Sequence, residues 1–249
     1  MSLFPAVMDL LRAEAAFKPI TGDLVLIGRQ RVEHSEQTDK EFFATLGDAS
    51  FHALDVSDFE GADIIHDLNA PLPRHLYGIA DFIFDGSCLD NIFNTAAAMR
   101  TLSRLLKPGG RIVLMEHGTA FQGPGAPAGA LMTFSPEWFF DFFAAFDYAD
   151  CQIYLAVFPW GMFRGDWSVR QWEPFDAHDN PVSPTPMCGD FVNIVIAEKG
   201  LGTPVEIMPI QAQYRLMHGS ENNRYVEAHR RYKTSERHKH HAAILRDLK

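Results

Sequence analysis

Five apolar runs of strand length, separated by stretches of helical periodicity, restrict this chain more than any other feature. They are DLVLIG from Asp23, FHALD from Phe51, ADIIH from Ala62, DFIFD from Asp81 and RIVLME from Arg111. Alternation of this kind predicts parallel strands joined by crossover helices. The runs are apolar almost throughout rather than at every second residue, so both faces of the sheet are expected to be covered. A doubly wound α/β sheet follows.

The connections carry their own punctuation. Leu89, Ile92, Phe93, Ala96, Met99, Leu102, Leu105 and Leu106 recur at spacings of three and four, which predicts one apolar stripe on a helix over 89–106. Pro108 stops that helix, and Gly109 and Gly110 permit the turn into RIVLME. Ser135-Pro136-Glu137 supplies an N-cap, a first-turn proline and an early acid for a second helix, WFFDFFAAF, whose aromatic residues fit a packed core. QIYLAVF from Gln152 and DFVNIVIAE from Asp190 predict two later strands. The insertion between them, 159–189, is too long for a hairpin turn and is expected to cap the sheet edge, with Trp160, Trp167 and Trp172 available to stack on a ring. The expected organisation is one domain over 1–200 containing that insertion, then a polar, helical C-terminal extension over 201–249.

Composition removes several function classes. A formal net charge of -10 over 249 residues opposes a phosphate backbone, so no nucleic-acid partner is expected. The basic stretch RYVEAHRRYKTSERHKHH is interrupted by Glu227 and Glu236 and fits a solvated helix face. His229, His238, His240 and His241 stand there beside lysine and arginine, which repel a cation; an exposed helix is preferred and no metal is assigned. No apolar run reaches the roughly 18 residues of a membrane span, and the N-terminus has neither a basic start nor a small-residue cleavage site. A cytoplasmic location without a membrane partner is the expectation. Cys88, Cys151 and Cys188 are odd in number and far apart, as reduced thiols would be.

In an open parallel sheet, ligands gather beyond the carboxyl ends of the strands, where the strand order reverses. The residues there are Gly28-Arg29-Gln30, Asp55, His66-Asp67-Leu68-Asn69, Asp85-Gly86-Ser87 and Glu116-His117-Gly118. Asp55, 27 residues after Gly28, either accepts the hydroxyls of an adenosine ribose or caps the turn DVSD. Asp67 and Leu68 either receive the amino group and ring of adenine, or Asp67 closes an Asx turn within DLN. His117 is a candidate general base, because imidazole titrates near neutral pH, or a histidine bonded within its own turn. Asp85 and Glu116 are placed to orient an acceptor group.

The succession ALDVSDFEGADIIHDLNAPLP, ADFIFDGSCLDNIFN, LSRLLKPGGRIVLMEH and MTFSPEWFFDFF resembles the class I S-adenosylmethionine-dependent methyltransferases over roughly residues 20–200. The resemblance implies a Rossmann-like, seven-stranded, mostly parallel sheet whose last strand is antiparallel, with QIYLAVF and DFVNIVIAE as strands six and seven. It also implies S-adenosyl-L-methionine as cofactor. By position, Gly28 matches the glycine loop, Asp55 the ribose acid, Asp67 and Leu68 the adenine contacts, and Asp85, Gly86 and Ser87 the loop beside the methyl group. Two departures stand out. The family's acid and G-x-G are reduced in LIGRQRVEHS to Gly28 alone, and Arg29 either pairs with the cofactor carboxylate or fills its site. After strand four, where the family commonly has a Glu-His pair, this chain has Asp90 and Asn91.

The leading expectation is methyl transfer to an oxygen or nitrogen of a small molecule or glycan unit, with His117 and Asp85 as catalytic candidates. Transfer to a good nucleophile needs little beyond proximity and alignment. The alternative is a binding or scaffold protein that keeps the fold without turnover. A nicotinamide oxidoreductase is disfavoured by the absence of a G-x-G-x-x-G fingerprint.

Overall fold

In the computed structural model, which describes residues 2–33, 35–58, 60–119, 131–158, 167–176, 189–202, 209 and 223–245, each apolar run lies in a strand of one sheet. In chain order the elements of the first half are β1 (Ser2–Leu3), α1 (Pro5–Phe17), β2 (Gly22–Ile27), β3 (Arg31–Val32), α2 (Asp39–Ala44), β4 (Ala49–Asp55), β5 (Ile64–Ile65) and β6 (Ala80–Gly86). There follow α3 (Thr95–Leu105), β7 (Leu106–His117), α4 (Pro136–Ala145), β8 (Asp150–Phe158), β9 (Ser168–Trp172), β10 (Asp190–Glu198), α5 (Asn223–Lys233) and α6 (Glu236–Leu245).

The sheet order is β5-β4-β2-β6-β7-β10-β8-β9. Strands β5, β4, β2, β6 and β7 run parallel, and β10 lies antiparallel between β7 and β8. These are the seven expected strands with the last one reversed. An eighth, β9, comes from the described part of the insertion and pairs antiparallel with β8. Trp167 and Trp172, at the two ends of β9, pack against opposite cores of the sheet. Trp160 and Cys188 lie outside the described residues.

Side chains alternate across the sheet, as the pleat requires. Val25 and Ile27 of β2 join a core with α3, α4 and α5, whereas Leu24 and Leu26 join one with α1 and α2. Ser135 caps α4 with Pro136 in its first turn, and Phe139, Phe140, Phe142 and Phe143 are buried, with Trp138 half-buried beside them. The helix expected over 89–106 is interrupted. A 3-10 turn covers Leu89–Asn91, and α3 begins only after Asn94, whose side chain accepts a hydrogen bond from Ala97 N at 3.3 Å. That cap ends the outer turn early and leaves Phe93 83% exposed, outside the apolar stripe.

The C-terminal segment also differs from a solvated face. Tyr225, Val226, Ala228, His229 and Tyr232 of α5 are buried, and Arg237 and His241 of α6 are 2% and 0% exposed. Arg237 donates to Glu14 Oε2 (2.9 Å), Asp150 Oδ2 (2.6 Å) and Glu198 Oε2 (2.5 Å), while Arg111 donates to Glu14 Oε1 (2.6 Å). His241 Nε2 stands 3.2 Å from Glu14 Oε2. Arg237 and His241 are four residues apart and so share one helix face, and α1, β8 and β10 supply the carboxylates that make its burial affordable. Among the described residues no helix is long and apolar enough to cross a membrane.

Candidate functional site

The strand order reverses between β2 and β6, so the crevice at their carboxyl ends is the place to look for a ligand. Gly28, directly after β2, has φ +68° and donates its N–H to Leu54 O at 2.9 Å. A Cβ added to Gly28 would meet nothing closer than Asp55 Oδ2 at 3.9 Å. The tips of β2 and β4 thus frame open space with a carboxylate on its border. Asp55 Oδ1 accepts from Val56 N at 2.6 Å within its own turn, while Oδ2 faces the space beside Gly28.

Asp67 closes an Asx turn, Oδ1 accepting from the Asn69 backbone N–H (2.8 Å) and side-chain amide (2.9 Å). It is exposed beside the tip of β5, while Leu68 is 5% exposed within the core. Asn69 Oδ1 in turn accepts from Asn94 N at 3.1 Å, which ties this loop to the start of α3.

The loop after β2 is rebuilt around Asp39, a residue without a motif to mark it. Asp39 is 1% exposed at the start of α2, after a Thr38–Glu41 capping box. Its carboxylate accepts from Arg29 Nε (2.8 Å) and Nη2 (2.6 Å), from Gln30 N (2.8 Å) and from Lys40 N (2.8 Å). Burial alone would raise the Asp39 pKa, but these donors outweigh it and hold the group below the usual carboxylate range. The Arg29 guanidinium is therefore turned to Asp39. The side chain that lies on the tip of β6 is Gln30, whose terminal amide would stand 2.4 Å from a Cβ on Gly86.

A second group is buried at the tips of β6, β7 and β10. Asp85, Asp90, Glu116 and Asn193 are each 0% exposed, and Asn193 is directly opposite Glu116 in the β7–β10 pairing. Asp85 Oδ1 accepts from Cys88 N at 2.8 Å, and Glu116 Oε2 accepts from Asp90 N at 3.0 Å. Asn193 Nδ2 donates to Phe134 O at 2.8 Å. Asp85 Oδ2, Glu116 Oε1 and Asn193 Oδ1 are buried without a donor among the described residues. Burial, opposed by the Cys88 bond and reinforced by the Asp90 charge, pushes the Asp85 pKa up to about 7. Burial and the charges of Asp85 and Asp90 raise Glu116 well above its ordinary value.

Asp90 Oδ2 is the shared partner of Ser87 Oγ and His117 Nδ1, which themselves lie 3.3 Å apart. Because both face one carboxylate oxygen through the same imidazole nitrogen, this is not the relay of a serine nucleophile. The two contacts hold the Nδ1 side of the His117 ring. Ser87 has φ +67°, an unusual conformation for a residue with a side chain, at the end of a strand bordering the crevice.

Gln30, Asp90 and Glu116 lie at positions the sequence already marked, whereas Asp39 and Asn193 carry no motif. Asn193 had a signal nonetheless, as a lone amide in the apolar strand DFVNIVIAE. A cleft elsewhere, lined by Gln152, Gln171, Trp172, Glu173, His229 and His238, sits toward the amino end of β8. Its polar groups largely bond one another: Gln171 Nε2 donates to Gln152 Oε1 at 2.8 Å and Lys233 Nζ to Glu173 Oε2 at 2.6 Å.

No protein-family model and no curated protein sequence matches the chain. Among solved structures it is similar to phosphoethanolamine N-methyltransferase 2 of Haemonchus contortus in complex with S-adenosyl-L-methionine, at 14% identity and TM-score 0.45 over 77% of this chain and 52% of that one. The chain thus spans about half the length of the Haemonchus protein. It is also similar to the 16S rRNA (adenine(1408)-N(1))-methyltransferase from Catenulisporales acidiphilia, at 14% identity and TM-score 0.41 over 77% of this chain and 93% of that one. By strand order and direction, the chain has the fold of the class I S-adenosylmethionine-dependent methyltransferases.

Proposed function

We propose that the protein transfers a methyl group from S-adenosyl-L-methionine to an oxygen or nitrogen of a small molecule or glycan unit. The observation that carries this reading is the meeting, at one edge of the sheet, of the open Gly28–Asp55 tip with the buried group Asp85, Asp90, Glu116 and His117. The residues fit the cofactor on its nucleoside side, where Gly28 leaves space and Asp55 offers a carboxylate. At Gly86 they fit once the flexible end of Gln30 moves.

In this reading Asp55 holds the ribose hydroxyls, Asp67 borders the adenine with Leu68 packed into the core beneath it, and Asp85, Gly86 and Ser87 lie beside the reacting methyl. Arg29 serves the loop through Asp39. Bound, the cofactor supplies an electrophilic methyl group. His117, with its Nδ1 on Asp90, is the group placed to take the acceptor's proton. Asp85 and Glu116, whose pKa values burial raises, offer when protonated hydrogen-bond donors that an ordinary carboxylate lacks.

Asp55→Ala is expected to weaken S-adenosylmethionine binding at least tenfold, measured by calorimetry, with an unchanged circular dichroism spectrum. Wild-type affinity in a folded Asp55→Ala protein would refute the assignment. The Gln30 amide on Gly86 favours one alternative, a protein that keeps the fold without turnover. Full cofactor binding with no methyl transfer to any acceptor in a small-molecule and glycan panel would point that way.

A further inference from the structure

We infer that Gln30 is a displaceable plug in the crevice between β2 and β6, and the residue that sets how tightly that crevice takes the non-nucleoside end of a ligand. The inference rests on the methyltransferase reading above.

Three observations support it. The first is place: the terminal amide of Gln30 lies against Gly86 at the point where the strand order reverses, and a Cβ there would stand 2.4 Å from Gln30 Oε1 and 2.7 Å from Nε2. Gln30 thus occupies the volume that a side chain on Gly86 would need. The second is how loosely the amide is held. Gln30 is 8% exposed, yet its Oε1 has no hydrogen-bond partner, so rotating the amide away breaks no bond at that atom. A buried polar atom without a partner is a cost that a ligand or water relieves.

The third is the contrast with the backbone. Gln30 N is bonded to Asp39 Oδ2 at 2.8 Å, Arg29 is clamped to the same carboxylate, and the next residue enters β3, where Arg31 pairs with Ser2. The loop cannot slide away as a unit without giving up those bonds. Movement is concentrated in one side chain, and its occupancy of the crevice competes directly with any ligand group that needs the Gly86 edge. Such competition lowers apparent affinity by the fraction of molecules in which the crevice is open.

The test compares wild type, Gln30→Ala and Gln30→Leu by calorimetry with two probes, S-adenosylmethionine and adenosine. Gln30→Ala should bind S-adenosylmethionine at least tenfold more tightly than wild type, about 1.4 kcal/mol, while adenosine affinity stays within twofold. Gln30→Leu, which restores bulk without the amide, should return S-adenosylmethionine affinity to the wild-type level. If Gln30→Ala binds S-adenosylmethionine no better while adenosine still binds, the plug is refuted and the methyltransferase reading stands. If neither probe binds any of the three folded proteins, both are refuted.

Discussion

Arg237→Met should cost the protein about 3–5 kcal/mol of stability, read as a fall in the midpoint of denaturant unfolding. Methionine fills much of the same volume, so the loss isolates the charge. In its absence Glu14, Asp150 and part of Glu198 remain between α1, the sheet and α6 with one guanidinium, Arg111, still on Glu14. Breaking one member of such a group costs more than the group contributes, because the stranded carboxylates cannot return to water. The same network fixes an acid limit. Burial would raise Glu14, but the bond to His241 and the charges of Arg237 and Arg111 outweigh it and hold the carboxyl at about 2 instead of 4.5. A depressed acid stabilises the fold above its unfolded value and loses that contribution as pH falls through the folded one. Wild-type stability should therefore drop between about pH 4.5 and pH 2, and Arg237→Met should lose its share of that dependence. A variant as stable as wild type at pH 7 would show that the buried charges are not held as described.

Asp85→Asn should act in the opposite direction, stabilising the fold at pH 8 by on the order of 2–4 kcal/mol. The sign follows from a raised acid. The unfolded chain loses this proton near 3.8, whereas the folded protein keeps it to about 7, so the aspartate destabilises the fold progressively across that window and by a constant amount above it. Below pH 3 both states are protonated and the variant should match wild type. Asparagine keeps an oxygen for the Cys88 N–H and places an amide donor near the Asp90 charge. Unfolding curves at pH 3, 5 and 8 measure the difference, and equal stability of the two proteins at pH 8 would overturn the account. A carboxyl that weakens its own fold, buried with two others, supports the chemical role proposed for Asp85.

The sheet was legible because burial on both faces leaves a direct trace in sequence: DLVLIG, DFIFD and RIVLME could be little else than covered strands, and Ser135-Pro136-Glu137 marked the start of α4 by its bonding chemistry. Asp55, Asp85, Ser87 and His117 were found by counting to the ends of strands, since the ends of parallel strands share one edge. What was not legible depended on partners far away in the chain. RHKHHAA has the composition of a solvated helix, and nothing within it announces that Glu14 and Asp150 meet Arg237. Gln30 and Arg29 raised the same difficulty in miniature: which of the two fills the crevice is decided by Asp39, nine residues on, whose burial no local pattern predicts.

The bond from Arg237 to Glu14 spans 223 residues, and that separation bears on how the protein comes to be folded. Contacts between distant parts of a chain form late, since the entropy of closing the intervening loop is lost before the contact returns anything. The docking of α6 onto α1 should belong to the final, downhill part of folding, after the rate-limiting step. Weakening it would then leave the folding rate nearly unchanged and accelerate unfolding. The lifetime of the folded state, and with it resistance to proteolysis wherever cleavage outpaces reclosing, should accordingly depend on how strongly Arg237 holds this helix.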